Sequence, residues 1–140
     1  MTNDEELSRY MVLIEQYKEQ INQLEMQSQY VQAAVTDYNK AKITLENVEK
    51  TEKGTDVLLP IGGGALLEAS VKNTNNVLFD IGAGIIIQKD IEGTVKKIEE
   101  KIGSLQKSQE RIIDTIQKLQ MEATQISEKA QKLMSEQERS

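Results

Sequence analysis

The sequence predicts a mainly α protein: a long antiparallel coiled-coil hairpin carrying two β-hairpins, four short strands, at its base. Three observations predict it. The only proline, Pro60, lies in the middle of the chain, so both flanks are free of the strongest helix breaker. The second flank repeats apolar residues every seven positions. The block between the flanks switches to a period of two around Gly62-Gly63-Gly64 and Gly82-Ala83-Gly84. One domain is expected, divided into a first helix over 1–53, a strand block over 54–89 and a second helix over 90–140.

The first helix is announced by Thr2-Asn3-Asp4-Glu5, which fits a capping box. Its seam has one series at Leu7, Ile14, Ile21, Ser28 and Val35, and another at Tyr10, Tyr17, Leu24, Val31 and Tyr38. Beyond Tyr38 the apolar positions move to Ala41, Leu45 and Val48, a shift that reads as a stammer. Gly54, following Lys50 and Lys53, suits a C′ residue. Near the start, Tyr10-Met11-Val12-Leu13-Ile14 is apolar without a break. At about 100° per residue such a run circles the helix. Only Tyr10 and Ile14 fit the seam, so Met11, Val12 and Leu13 face water or another molecule.

In the middle block, Val57, Leu59 and Ile61 alternate with Leu58 and Pro60, and Leu67, Ala69 and Val71 alternate with Leu66, Glu68 and Ser70. Val77, Phe79 and Ile81 then alternate with Leu78 and Asp80, and Ile85, Ile86 and Ile87 are β-branched throughout. This pattern gives four strands. Each glycine cluster has the length of a three-residue hairpin loop, with residues that tolerate positive φ. Lys72-Asn73-Thr74-Asn75-Asn76 is the polar turn between the pairs. A phosphate cradle is the rival reading of the glycines. No Lys-Ser/Thr follows them and no helix opens there, so neither nucleotide fingerprint is met.

The second helix takes Asp90 as its N-cap. Ile91, Ile98, Leu105, Ile112, Leu119, Ile126 and Leu133 make one series of its seam. Val95, Ile102, Gln109, Ile116, Ala123, Ala130 and Gln137 make the other. Gln109 is either a register device or a tolerated polar residue. Gly93 and Gly103 fall on the outer face, each costing about 1 kcal/mol relative to Ala. Each helix is about 70 Å long at 1.5 Å per residue. Two seams of matched length most simply fold back on each other, with both termini at the far tip; helices pairing with other chains are the competing arrangement. In the hairpin, Ile126, Leu133 and Met134 lie near Leu7, Tyr10, Met11, Val12 and Leu13. Together they form a methionine-containing apolar patch suited to promiscuous binding, or a broad contact that closes the coil.

Two hairpins of such short strands are marginal alone, and their edges expose unpaired N–H and C=O groups. Leu58, Leu66, Leu78 and Ile86 fall opposite the main apolar set, so both faces want cover. Strands of other chains are therefore expected to complete the sheet as a closed barrel, with Val57, Leu59, Ile61, Leu66, Leu67, Val77, Phe79, Ile81, Ile85, Ile86 and Ile87 at the subunit interface.

Composition narrows the chemistry. The chain has 140 residues, no Cys, no His and a net charge of −6. Thiolate chemistry, the usual general base and the commonest metal ligand are absent, so neither an enzyme nor a metal or cofactor site is expected. No basic stripe points to nucleic acid. The acidic start does not suit a signal peptide, and no apolar run approaches the roughly 20 residues that span a bilayer. A cytoplasmic protein without a membrane partner is expected.

The strand block VLLPIGGGALLEASV followed by VLFDIGAGIIIQKDIEGTV, set between two long coils, resembles the α class of prefoldin, the hexameric co-chaperone. The motif residues are Pro60-Ile61-Gly62, Val77 to Gly84 and Lys89-Asp90-Ile91-Glu92, and the resemblance covers essentially the whole chain. Two hairpins rather than one mark the α class, and the even, Cys-free coils look archaeal. The resemblance implies two α and four β-type subunits sharing a double barrel. It also implies ATP-independent capture of unfolded polypeptides and their delivery to a group II chaperonin. On that reading Leu7, Tyr10, Met11, Val12, Leu13, Ile126, Leu133 and Met134 bind the unfolded client. The alternative function is a structural tether whose coil docks one folded partner.

Overall fold

In the computed structural model, which describes residues 2–139, two long helices flank four strands in the expected order. They are α1 Asn3–Glu49, β1 Asp56–Gly62, β2 Ala65–Ser70, β3 Asn76–Gly82, β4 Ile85–Asp90 and α2 Ile91–Arg139. Thr2 caps α1: its Oγ1 accepts from Glu5 N at 3.2 Å and its carbonyl from Glu6 N at 3.1 Å. The helix stops at Glu49, not at Lys53. Lys50 N donates to the Asn47 carbonyl at 3.2 Å and Thr51 N to the Val48 carbonyl at 3.0 Å, closing the last turn tightly. Thr51 Oγ1 adds a second bond to Val48 at 2.7 Å. Gly54 is therefore not the C′ residue. Its φ of +88° instead opens the first hairpin, where its N donates to the Val71 carbonyl at 2.7 Å.

The chain divides into two compact units. One takes the chain up to Ala34 together with the chain from Leu105 onward. Here Gln137 Nε2 donates to Asp4 Oδ1 at 3.1 Å, Tyr17 lies beside Glu122, and Gln109 Nε2 donates to Ser28 Oγ at 2.6 Å. Residue numbers rise along α1 as those of their α2 partners fall, so the helices run antiparallel within one chain. Both seam series of the unit lie turned from solvent, with Ala130 and Leu133 buried. The Ser28–Gln109 layer interrupts this apolar seam, and Gln109 Oε1 is buried with no partner among the described residues. An orphaned acceptor of this kind costs about 1–3 kcal/mol. One polar layer per seam is also the device that fixes register.

The second unit, Val35–Ser104, holds the most completely buried side chains, Ile91, Thr94 and Ile98, along the first turns of α2. Val35 is buried from α1, and Ala41, Leu45 and Val48 are half-buried, so the shifted positions after Tyr38 do face inward. Lys42 and Glu99 pair across the helices at 3.1 Å. Asp90 precedes α2, its carbonyl taking Thr94 Oγ1 at 2.9 Å, while Ile91 N donates to the Asn75 carbonyl at 2.8 Å. The Asp90 carboxylate folds over the first turn, so a Cβ on Gly93 would stand 2.5 Å from Oδ1. Gly103 has no such neighbour within 4 Å. Gly103→Ala is expected to stabilise the chain by about 1 kcal/mol, read as a higher thermal midpoint of the helical signal. An unchanged or lower midpoint contradicts this.

Both hairpins are antiparallel and share one pattern. Asp56↔Ser70 to Pro60↔Leu66 pair regularly, then the register slips so that Gly62 faces Ala65. Asn76↔Asp90 to Asp80↔Ile86 and Gly82↔Ile85 repeat this. The loops are therefore two residues long, not three. Gly63 and Gly64 have φ of +59° and +78°, and Ala83 and Gly84 +52° and +75°, the type I′ signature that matches strand twist. The first residue of each cluster, Gly62 or Gly82, belongs to a β-bulge that leaves Ile61 or Ile81 unpaired. Between the hairpins, Asn73 Oδ1 accepts from Asn75 N and Asn76 N, both at 2.9 Å, and aims the chain into β3.

Candidate functional site

Two surfaces stand out, one in each unit. The strands form two separate two-stranded sheets, β1–β2 and β3–β4, so each strand pairs on one side only. The first hairpin is bare. Leu58 and Leu66 on one face are exposed, as are Leu59 and Leu67 on the other and Ile61 at the bulge. Val57 and Ala69, paired at the end of the hairpin away from its turn, are half-buried.

The second hairpin is covered on one face. Val77, Phe79, Ile87 and Lys89 are half-buried, and Phe79 and Ile87 line a groove of ≈ 580 Å³ with Tyr38 of α1 and Lys97 and Lys101 of α2. Its other face carries Leu78, 72 % exposed, and Ile86, 63 % exposed. Ile81 and Ile85 are also open to solvent. The interface set expected from sequence is thus split: Val57, Val77, Phe79 and Ile87 are half-buried, while Leu59, Ile61, Leu66, Leu67, Ile81, Ile85 and Ile86 are uncovered. Leu58 and Leu78 are equally bare. Their off-face position signalled this. Tyr38, Lys97 and Lys101 carried no local signal, because only the chain's return brings them to Phe79.

The other surface lies between the Asp4–Gln137 and Tyr17–Glu122 pairs. Burial, the hydrogen bond to Glu122 and that carboxylate's charge raise the Tyr17 phenol pKa above its ordinary value. Leu7, Tyr10, Ile126 and Leu133 belong to the seam and are half-buried or buried. Met11 and Val12, each 57 % exposed, Leu13 and Met134 do not enter it and stand in solvent. Of the residues expected in this patch, four hold the helices together and four are free to touch something else. Among the described residues there is no group of three or more His, Cys, Asp or Glu placed to hold a metal ion. None of the described helices is long and apolar enough to cross a membrane.

Comparison with known proteins agrees with this geometry. Residues 17–136 match the model of the prefoldin family, described as Prefoldin subunit. The prefoldin subunit alpha of Methanobrevibacter smithii is 25 % identical, over 96 % of this chain and 97 % of that protein. That of Methanoculleus marisnigri is 29 % identical over 87 % of this chain and 81 % of its own length. A filamentous PFD from Methanocaldococcus jannaschii, solved by cryo-EM, superposes with a TM-score of 0.71 at 23 % identity, covering 81 % of this chain and 94 % of that one.

Proposed function

The chain belongs to the prefoldin family, a family of chaperones, and from that premise we propose that it is a holdase subunit acting without ATP. It binds non-native polypeptides at the end of its helix pair that carries both termini and hands them to a group II chaperonin. The observation that carries this reading is the apolar surplus there. The seam is already filled by Leu7, Tyr10, Ile126 and Leu133, yet Met11, Val12, Leu13 and Met134 remain in water. Unfolded chains expose scattered apolar groups that such a surface can meet without a fixed geometry. Several weak contacts on one frame give avidity, and each can let go without nucleotide hydrolysis.

The frame in this reading is a cytoplasmic hexamer of two α and four β-type subunits. Their strands pair with the open edges of β1 to β4 and close a barrel over the bare faces. The alpha-subunit names of the relatives support the pairing with β-type chains. The multi-chain assembly of the Methanocaldococcus jannaschii protein supports the use of this fold as a joint.

Competition between clients tests the function. Chemically unrelated denatured proteins are expected to displace one another from the complex. Strict selectivity for one folded partner, with no displacement, overturns the holdase in favour of a tether.

A further inference from the structure

The chain has five methionines and no cysteine. Methionine commonly fills gaps in apolar cores. Here it does the opposite. Met11, Met26, Met121 and Met134 all lie off the coil seam, and the least exposed of them, Met134, still shows 45 % of its surface to solvent. Among the described residues the buried positions are held by Ile, Leu, Val, Ala and Thr instead. An exposed thioether is open to oxidants, and making it polar disturbs no packing.

Two of the four stand together at the end carrying the termini. Met11 directly follows Tyr10, and Met134 directly follows Leu133. Each of those seam residues closes a three-residue step, Leu7 to Tyr10 and Ala130 to Leu133. Equivalent positions on two antiparallel helices flank the same side of their seam, because the two-fold axis relating the helices runs out through that side. Asp4 meets Gln137, so Met134, three residues earlier, stands level with Leu7 and about one turn from Met11 along the axis. The two thioethers thus supply half of the exposed patch, with Val12 and Leu13 as the rest.

We propose that Met11 and Met134 form a reversible oxidation site at which peroxide switches client capture off while fold and assembly persist. A sulfur lone pair attacks one peroxide oxygen, the O–O bond breaks, an S–O bond forms and water leaves. The sulfur gives up two electrons and the peroxide takes them. The resulting sulfoxide is polar and accepts hydrogen bonds, so it holds water where an unfolded chain would lay an apolar group. Methionine sulfoxide reductase, drawing on two thiols that become a disulfide, returns the thioether and releases water. With no cysteine in the chain, no thiol of its own competes for the oxidant. The switch rests on the reading of this patch as the client site.

Hydrogen peroxide treatment of the complex between this chain and a β-type prefoldin subunit, followed by removal of the oxidant, tests it. Peptide mass spectrometry is expected to find one added oxygen on Met11 and one on Met134, with the helical circular dichroism and the subunit composition unchanged. Protection of a denatured client, read by light scattering, is expected to fall about fivefold and to return after treatment with the reductase. The double variant M11L/M134L keeps the patch apolar and offers no sulfur there. Each complex is compared with itself before and after peroxide, so any change the leucines make to the starting protection drops out. The partner subunits are the same in both complexes, so a difference in sensitivity is due to Met11 and Met134. The M11L/M134L complex is expected to keep its protection, and an M26L/M121L complex is expected to lose it as the parent does. A switch at these residues is overturned if M11L/M134L is as sensitive as the parent, or if the parent carries both oxygens and still protects; either result leaves the holdase reading standing. Met11 or Met134 left intact by peroxide that oxidises Met26 and Met121 overturns it too. An unoxidised complex that protects no client overturns the holdase reading, and the switch with it.

Discussion

Replacing Leu78 and Ile86 together by aspartate is expected to leave both helices folded and to abolish entry of the chain into a multi-chain complex. The two side chains share the outer face of the second hairpin, because Leu78 pairs with Gln88 and Ile86 with Asp80. None of the described residues covers them, so their loss removes little from the isolated fold. In a closed barrel they would be buried, at about 1.5–3 kcal/mol each, and two unpaired carboxylates in their place would add further penalty. Even the lower figures, about 3 kcal/mol for the pair, correspond to more than a hundredfold in the association constant. Native mass spectrometry with a β-type prefoldin subunit reads the complex, and circular dichroism reads the helices. A doubly substituted chain that assembles like the parent would show that this face is not in the joint.

The same logic explains what the sequence disclosed. Periodicity reports which side of an element is apolar, so the coil seams, the four strands and the surplus at Met11 to Leu13 were all legible. The end of α1 was not. Lys53 and Gly54 look like a helix terminus, but Thr51 satisfies the Val48 carbonyl first, and the left-handed Gly54 is used by the hairpin instead. The loops were misjudged by one residue for a similar reason. A glycine needed for positive φ in a bulge, at Gly62, is indistinguishable in sequence from one needed in a turn, at Gly63. Periodicity is also blind to which apolar faces meet. Both hairpins read as equally apolar, yet one face of the second turns towards Tyr38, Lys97 and Lys101, while the first has no comparable cover. The patch near the termini mixed two roles because adjacent residues of an apolar run differ only by rotation around the helix. That rotation puts Tyr10 in the seam and Met11 in water.

That division predicts how client protection should fail. Replacing Met11, Val12, Leu13 and Met134 by serine touches none of the seam residues, so helicity and assembly are expected to persist. Protection of a denatured client against aggregation, measured by light scattering, is expected to fall by about an order of magnitude. A loss of about 1.4 kcal/mol per client contact is tenfold for one site, and avidity deepens it when several subunits engage one chain. Serine substitutions at Met26, Tyr30 and Met121 supply the comparison. These side chains are as exposed as the patch but lie away from the end carrying the termini, Met26 and Tyr30 one turn apart on α1 and Met121 on α2. If general apolarity of the coil captures clients, both sets reduce protection alike. If the site is the patch at the end carrying the termini, only the first set does. Equal protection by all three proteins would place client binding elsewhere in the complex.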